Sequence, residues 1–409
     1  MSARNISTKT YAWMVVGLLW VVAFLNYFDR ILITSMRDPI VRAFTINDAE
    51  YGLLTSVFLW SYGVLSPLGG YFADRYGRKP VIIFSVAVWS IVTLWTGMAQ
   101  NFHEMVAARL CMGISEACYI PAALALIADY HKGSTRSLAT GIHMSGLYAG
   151  LALGGLGGYI SELWGWRYGF QVFGLFGIIY AVVLLIFLKR PVHPVAEEAL
   201  DYHEPAVSPV KLLRAFKLFS NMSFRILLFY FCAYGIVNWL IYGWLPTFLK
   251  THFNLGLGQA GISATGYVQI GSFAGVLLGG FLADQWYKRN KKGRVYIIII
   301  GFTVGAPFLF LMSFTYSFGV AIASMIIYGI ARGFSDANLM PILCQVVDEK
   351  YIATGYGFLN FLSTIVGGIM VFVGGILRDA NFSLSLIYGG ASVLLLLTAW
   401  SLFFIKIKK

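Results

Sequence analysis

Apolar runs of about twenty residues, set apart by short polar or charged breaks, recur along the whole chain. They fall near 12–36, 50–71, 80–99, 103–129, 137–160, 168–188, 223–249, 257–283, 295–315, 318–347, 352–377 and 382–405. Each is long enough to cross the hydrocarbon core of a bilayer as a helix, which takes roughly 20 residues. Stretches such as VYIIIIGFTVGAPFLFLM (295–312) are continuously apolar and lack the alternation of a membrane strand, which excludes a β-barrel. The pattern predicts an all-α polytopic membrane protein with twelve transmembrane helices. The first run is too long for a cleaved signal, has no small-residue cleavage site, and carries Asp29 and Arg30.

Composition agrees. With 58% hydrophobic and 12% charged residues and a mean hydropathy of +0.74, the 409 residues have too little polar surface to cover a soluble globule. The net charge of +12 is unevenly placed. Arg4, Lys9, Arg75, Arg78, Lys79, Lys132, Arg136 and the Lys288 to Arg294 cluster fall on one side of the predicted membrane, against Arg37, Arg42, Arg167, Lys250 and Arg378 on the other. Positive loops stay in the cytoplasm, so both termini are expected there, and no nucleic-acid partner is needed to explain the charge. Cys111, Cys118, Cys232 and Cys344 lie inside apolar runs without metal-ligand spacing, so neither a disulfide nor a metal is expected. Nor is a cofactor. No HExxH, P-loop or GxSxG motif is present, so the chain reads as no enzyme. Short loops and no organellar targeting segment point to a bacterial inner membrane, with the lipid bilayer and a small anionic solute as partners of a functional monomer.

The longest break, with Pro191, Pro194, Pro205 and Pro209, divides the chain into a bundle at 1–188, a cytoplasmic linker at 189–222 and a bundle at 223–409. Within the break, KLLRAFKLF (211–219) reads as a basic amphipathic helix on the inner leaflet or as plain linker. The halves repeat one plan. LGGYFADRYGRK (68–79) is answered by LGGFLADQWYKR (278–289), SEACYIP (115–121) by SDANLMP (335–341), and ATG at 139–141 by ATG at 353–355. Two pseudo-symmetric six-helix bundles with a solute site near the midplane between them fit this order.

Charges inside the spans are the candidate chemistry, because each costs about 2.5–3.5 kcal/mol to insert and so marks a pathway or a partner. On the first helix Asn26, Tyr27 and Arg30 share a face, while Asp29 points about 100° away. On the fourth, Arg109 and Glu116 lie two turns apart on one face. Two guanidiniums and two acids can neutralise one another. An arriving anion then competes for the arginines, and proton uptake on Glu116 or Asp29 accompanies its binding. In the second half Asp336 answers Glu116, and Arg332 precedes it by one turn, as a local brace or a second polar site. Asn238, Tyr242, Gln269, Asn338 and Gln345 either bind solute or satisfy neighbouring helices. His143 reads as a titrating group or a hydrogen-bonded packing residue.

Gly70-x-x-x-Asp74-Arg75-x-Gly77-Arg78-Lys79 resembles the loop signature of the major facilitator superfamily. That resemblance implies a latch on the cytoplasmic side in the outward-facing state, with Asp284 in the answering loop. NYFDR (26–30), Tyr62, the Arg109 and Glu116 pair and GFLNFLSTIVGG (357–368) resemble the anion:cation symporter family, carriers of sugar acids and other organic anions. For that family the resemblance implies anion binding by Tyr27, Arg30, Tyr62, Arg109 and Asn360, and proton coupling by Asp29 and Glu116. The fifth helix, TGIHMSGLYAGLALGG, departs from the pattern in lacking an amide side chain. GISEACY (113–119) also resembles spinster-type lipid transporters, which carry Asp-Arg in the first helix, whereas Pro121 and the eleventh helix favour the anion symporters. The expectation is rocker-switch symport of a hexuronate or aldonate with protons, or with sodium. A lysolipid transporter and a non-transporting sensor are the alternatives.

Overall fold

The computed structural model describes residues 8–131, 135–189, 216–348 and 351–407, of which Pro67, Gly70, Asp74, Ser137, Phe216, Lys217 and Ala353 are described by their backbone alone. The first half contains α1 (Thr8–Leu32), α2 (Arg37–Phe44), α3 (Asp48–Tyr76), α4 (Arg78–Met98), α5 (Phe102–Glu116), α6 (Tyr119–Tyr130), α7 (Arg136–Leu153), α8 (Gly157–Trp164) and α9 (Trp166–Phe187). The second contains α10 (Met222–Phe253), α11 (Leu257–Tyr287), α12 (Gly293–Phe314), α13 (Phe318–Val346), α14 (Ile352–Asp379) and α15 (Leu384–Ser401). Most of the predicted amphipathic stretch at 211–219 lies outside the described residues, and Phe216–Ser220 forms a 3-10 turn.

Among the described residues, ten segments are long and apolar enough to cross a membrane. The second and fifth predicted spans are helical but stand outside that ten. They correspond to α3, of 29 residues, and to α7 running through a 3-10 turn at Gly154–Leu156 into α8. Both lie against the other half of the protein, α3 along α14 and α7–α8 along α11. A helix that faces protein carries small and polar residues where a lipid-facing helix carries large apolar ones, so its hydropathy falls although its geometry does not.

The fourth predicted span is interrupted. α5 ends at Glu116 and α6 begins at Tyr119. Pro121 favours the break, because its ring cannot coexist with a helical hydrogen bond to the carbonyl of Ala117, four residues earlier. Gly69 of α3 packs directly on that carbonyl, at a place where an added Cβ would stand 2.5 Å from it. The matching Pro341 lies inside a continuous α13. The sequence repeat therefore does not extend to the local backbone, and only Glu116 sits at a helix break.

The two halves meet at the end of the bundle remote from the chain termini. There the Ser56 hydroxyl donates to the Gly368 carbonyl at 2.7 Å, Trp60 Nε1 donates to the Ile365 carbonyl at 3.3 Å, and Thr265 donates to the Ala152 carbonyl at 2.7 Å. Backbones touch without intervening side chains. A Cβ on Gly155 would lie 2.2 Å from the Gly261 carbonyl oxygen, and one on Gly375 would lie 2.3 Å from that of Asp48. Among the described residues, every cross-half hydrogen bond and ion pair falls in this remote half. The protein is shut at the far end, and among the described residues no hydrogen bond or ion pair joins the halves toward the terminal end.

Candidate functional site

Arg30, near the end of α1, donates from Nη2 to Glu116 Oε2 at 2.8 Å, with side chains 3% and 0% exposed. A weaker contact runs from the same nitrogen to Asn26 Oδ1 at 3.4 Å, one turn back on the predicted face. Three rings surround the guanidinium: Tyr27 at 4.5 Å, Tyr62 at 4.6 Å and Phe58 at 4.9 Å from its carbon to the ring centres. Aromatic faces stabilise a cation without neutralising it. Glu116 is thus the one acid bonded to Arg30 among the described residues. Tyr27, Arg30, Tyr62 and Glu116, expected from the sequence, come together in one site.

Arg109 and Asp29 stand behind this site. Arg109 is fully buried, donates from Nε to the Leu54 carbonyl at 3.2 Å, and lies 4.8 Å from the Phe58 ring. Phe58 therefore contacts both guanidiniums. In this state they do not present a joint face to an incoming carboxylate, as pairing them on one pocket wall would require. Asp29 turns away from Arg30, as the helical angle requires, and accepts from the Thr93 hydroxyl at 3.3 Å. Glu116 Oε1, Asp29 Oδ1 and Arg109 Nη2 are buried and have no hydrogen-bond partner among the described residues. Buried polar atoms left in this condition are costly.

Other expected residues are distributed more widely. Asn360 is half-buried on α14, five residues before the carbonyl that Trp60 bonds. Asn238, Asn338 and Gln345 are spent on backbone carbonyls of their own or adjacent segments. His143 contacts the Tyr119 hydroxyl at 2.9 Å, and that hydroxyl itself donates to the Leu19 carbonyl at 2.8 Å, which is the packing arrangement. Of the signature loop, Gly77 has a positive φ of 90°, which suits glycine. Arg75 donates to the Tyr71 hydroxyl at 2.8 Å, and Arg78 pairs with Asp129. Asp284 pairs with Arg294 at 2.9 Å. Each of these contacts stays within one half. Gly70 and Asp74 are described by their backbone alone, so the latch expected of them is not in view.

A charge network at the far end escaped the sequence reading. Asp48 accepts from Arg37 Nε at 2.6 Å within its own half and pairs with Arg378 Nε at 2.9 Å across the halves. Lys250 pairs with Asp38, also across. The Asp379 carboxylate accepts from the backbone N–H groups of Asp48 and Ala49 at 3.0 and 2.8 Å, capping α3 from the opposite half. Burial pushes the Asp38 carboxyl up, but hydrogen bonds from Lys250 and Arg37 outweigh it and hold the group below the ordinary carboxylate range. A signal was present. Arg37, Lys250 and Arg378 were counted as the few cations of that side, while the acids able to meet them, Asp38, Asp48 and Asp379, were left out of the count.

Comparison with known proteins fits this geometry. The profile of the Major Facilitator Superfamily matches residues 19–371. The chain belongs to the Major Facilitator Superfamily. Its relatives within the superfamily divide in two. It is 24% identical to the probable galactarate/D-glucarate transporter GarP of Escherichia coli (strain K12), over 95% of this chain and 93% of that one. It is 28% identical to protein spinster homolog 1 of Homo sapiens, over 87% of this chain and 70% of that one. A crystal structure of a bacterial homologue of the human lysosomal transporter spinster, inward-facing and unoccupied, superposes with a TM-score of 0.79, covering 99% of this chain and 98% of that one at 22% identity. At that identity the likeness concerns the fold. This superfamily member is an integral membrane protein and, by its family, a secondary active transporter.

Proposed function

We propose that the protein carries an organic anion in symport with a proton, the anion's acid group seating on Arg30 and the proton on Glu116. The observation that supports this most directly is the Arg30 and Glu116 pair, enclosed by Tyr27, Phe58 and Tyr62. A buried ion pair is weak as a device for stability and strongly unfavourable when half of it is removed. An anion taking Arg30 from Glu116 leaves an unpaired carboxylate in a dry site, and a proton relieves that cost. Asp29, with one unsatisfied oxygen beside Thr93, is placed to pass or store a second proton. Arg109 holds the site's positive charge from behind Phe58, and Asn360 and Tyr62 complete the solute's surroundings.

The rest of the cycle follows the rocker-switch plan, a monomer in a bacterial inner membrane with both termini in the cytoplasm. The closed far end is then the outer gate, and the structure is an inward-facing state. Sodium in place of the proton is the competing coupling ion.

Two identities of the anion have support. The higher identity to spinster homolog 1, 28% against 24% for the aldarate carrier, together with the superposed spinster homologue, favours the spinster-type reading of a lysophospholipid over a sugar acid. The full-length match to an organic-acid carrier supports the sugar acid. In proteoliposomes with an imposed pH gradient, Glu116→Gln should lose concentrative uptake while retaining counterflow of labelled solute. Undiminished concentrative uptake refutes the coupling role. Absence of counterflow in the unmodified protein makes it a sensor instead. Competition by hexuronates and aldonates against lysophospholipids chooses between the two solutes.

A further inference from the structure

The second half holds a buried guanidinium of its own, whose hydrogen-bonding capacity is mostly unspent. Arg332 on α13 is 7% exposed, yet its Nε and Nη1 have no hydrogen-bond partner among the described residues. Its nearest acid, Asp336, is 3.7 Å away, too far for a hydrogen bond, and Asp336 Oδ1 accepts from the Tyr234 hydroxyl. The guanidinium lies 5.2 Å from the centre of the Tyr242 ring, whose hydroxyl accepts from Gln269 Nε2 at 3.1 Å.

Tyr242 connects this group to the first half. It packs in one cluster with Ile31 and Leu151, and Tyr27 and Tyr148 flank that cluster. Tyr27 is also one of the rings on Arg30. Arg30 and Arg332, one in each half, are thus linked through Tyr27, the cluster it packs against and Tyr242, and both carry aromatic faces. A guanidinium placed in a membrane interior with two unused donors is costly unless a ligand or a well-formed partner satisfies it. The loose pair with Asp336 does not satisfy it.

We infer that the solute site is two-ended, and that the carried anion bears two acidic groups, one seated on Arg30 and the other on Arg332. The inference rests on the proposal that an organic anion seats on Arg30. It adds that the solute is a short, hydroxylated dicarboxylate, whose two ends connect the halves and whose middle contacts Tyr27, Tyr242 and Gln269. Asp336 competes with the distal carboxylate and limits how tightly it is held.

Binding of D-glucarate and D-gluconate to the purified protein tests this by calorimetry, since the two polyol acids share a carbon skeleton and differ in having two carboxylates or one. The unmodified protein should prefer glucarate by roughly tenfold to a hundredfold, the effect of one charge-assisted hydrogen-bonded contact. Arg332→Gln should abolish the preference by weakening glucarate far more than gluconate, whereas Arg30→Gln should weaken both acids. Asp336→Asn, which keeps Arg332 in place, should tighten glucarate and leave gluconate unchanged. Equal affinity for the two acids in the unmodified protein, or a preference that survives Arg332→Gln, overturns the two-ended site and leaves the Arg30 seat standing. Loss of glucarate binding in Asp336→Asn overturns it as well. Binding of lysophosphatidylglycerol that depends on Arg30, with neither acid bound, overturns the dicarboxylate while keeping the Arg30 seat. No effect of Arg30→Gln on any bound anion defeats the underlying proposal.

Discussion

The far-end network sets how readily the transporter leaves its present state, and its strength can be worked from the contacts. Asp379 bonds no group of its own half among the described contacts and caps α3 of the other half with two backbone hydrogen bonds. Replacing a capping acceptor by alanine costs about 1 kcal/mol. The Lys250 and Asp38 pair is only partly covered, with side chains 31% and 23% exposed, and contributes about 0.5 kcal/mol after solvent screening. Asp379→Ala with Lys250→Ala should therefore shift the equilibrium between far-end-closed and far-end-open states by about 1.5 kcal/mol, roughly twelvefold. A state favoured by about ten to one would become nearly balanced. Spin labels at Arg42 and Leu386, both exposed near that end, report the separation by pulsed EPR in a protein whose native cysteines have been replaced. The double variant should show a second, longer distance of comparable population. An unchanged distance distribution at an unchanged melting temperature would refute the assignment of these contacts as a gate.

Two further outcomes follow from the same face. Asp38 is held below its ordinary value, so its contribution is complete above the unfolded carboxylate value of about 4 and is lost as pH falls through the depressed one. The labelled pair should accordingly read the same between about pH 5 and pH 8 and separate only in stronger acid, and separation near neutral pH would contradict the Asp38 assignment. Gly375→Val places bulk against the Asp48 carbonyl, where even a Cβ would stand 2.3 Å away. It should hold the far end open, measured as labelling of a cysteine at Trp244 by a membrane-impermeant maleimide, and an unlabelled site in folded protein would count against the close approach.

Much of the fold was legible because a membrane span is written in length and apolarity, and both survive without any neighbour. The two expected spans that stand outside the ten, α3 and α7–α8, have protein as well as lipid for neighbours, so their character depends on contacts that no linear pattern records. The core of the site was legible for a related reason. Asp29, Arg30, Arg109 and Glu116 are expensive where they lie, and expense is visible in sequence. Their division of labour was not. That Arg109 is sealed behind Phe58, bonded to the Leu54 carbonyl, depends on how α3 packs on α5, and Phe58 itself is one phenylalanine among 32. The break at Ala117 was readable from Pro121, yet the same residue at Pro341 leaves α13 continuous, so the proline alone does not decide it.

The contact of Gly155 with Gly261, and of Gly375 with Asp48, bears on speed as well as on position. Closing a surface furnished with long side chains freezes their rotamers, at about 1.5–2 kcal/mol for each lysine or arginine immobilised, whereas glycine has no rotamers to lose. Where main chain meets main chain, the two faces come together without that entropic cost and separate without regaining it. Both directions of travel then start from similar free energies, and a carrier that must release its grip in every cycle is spared a deep resting minimum.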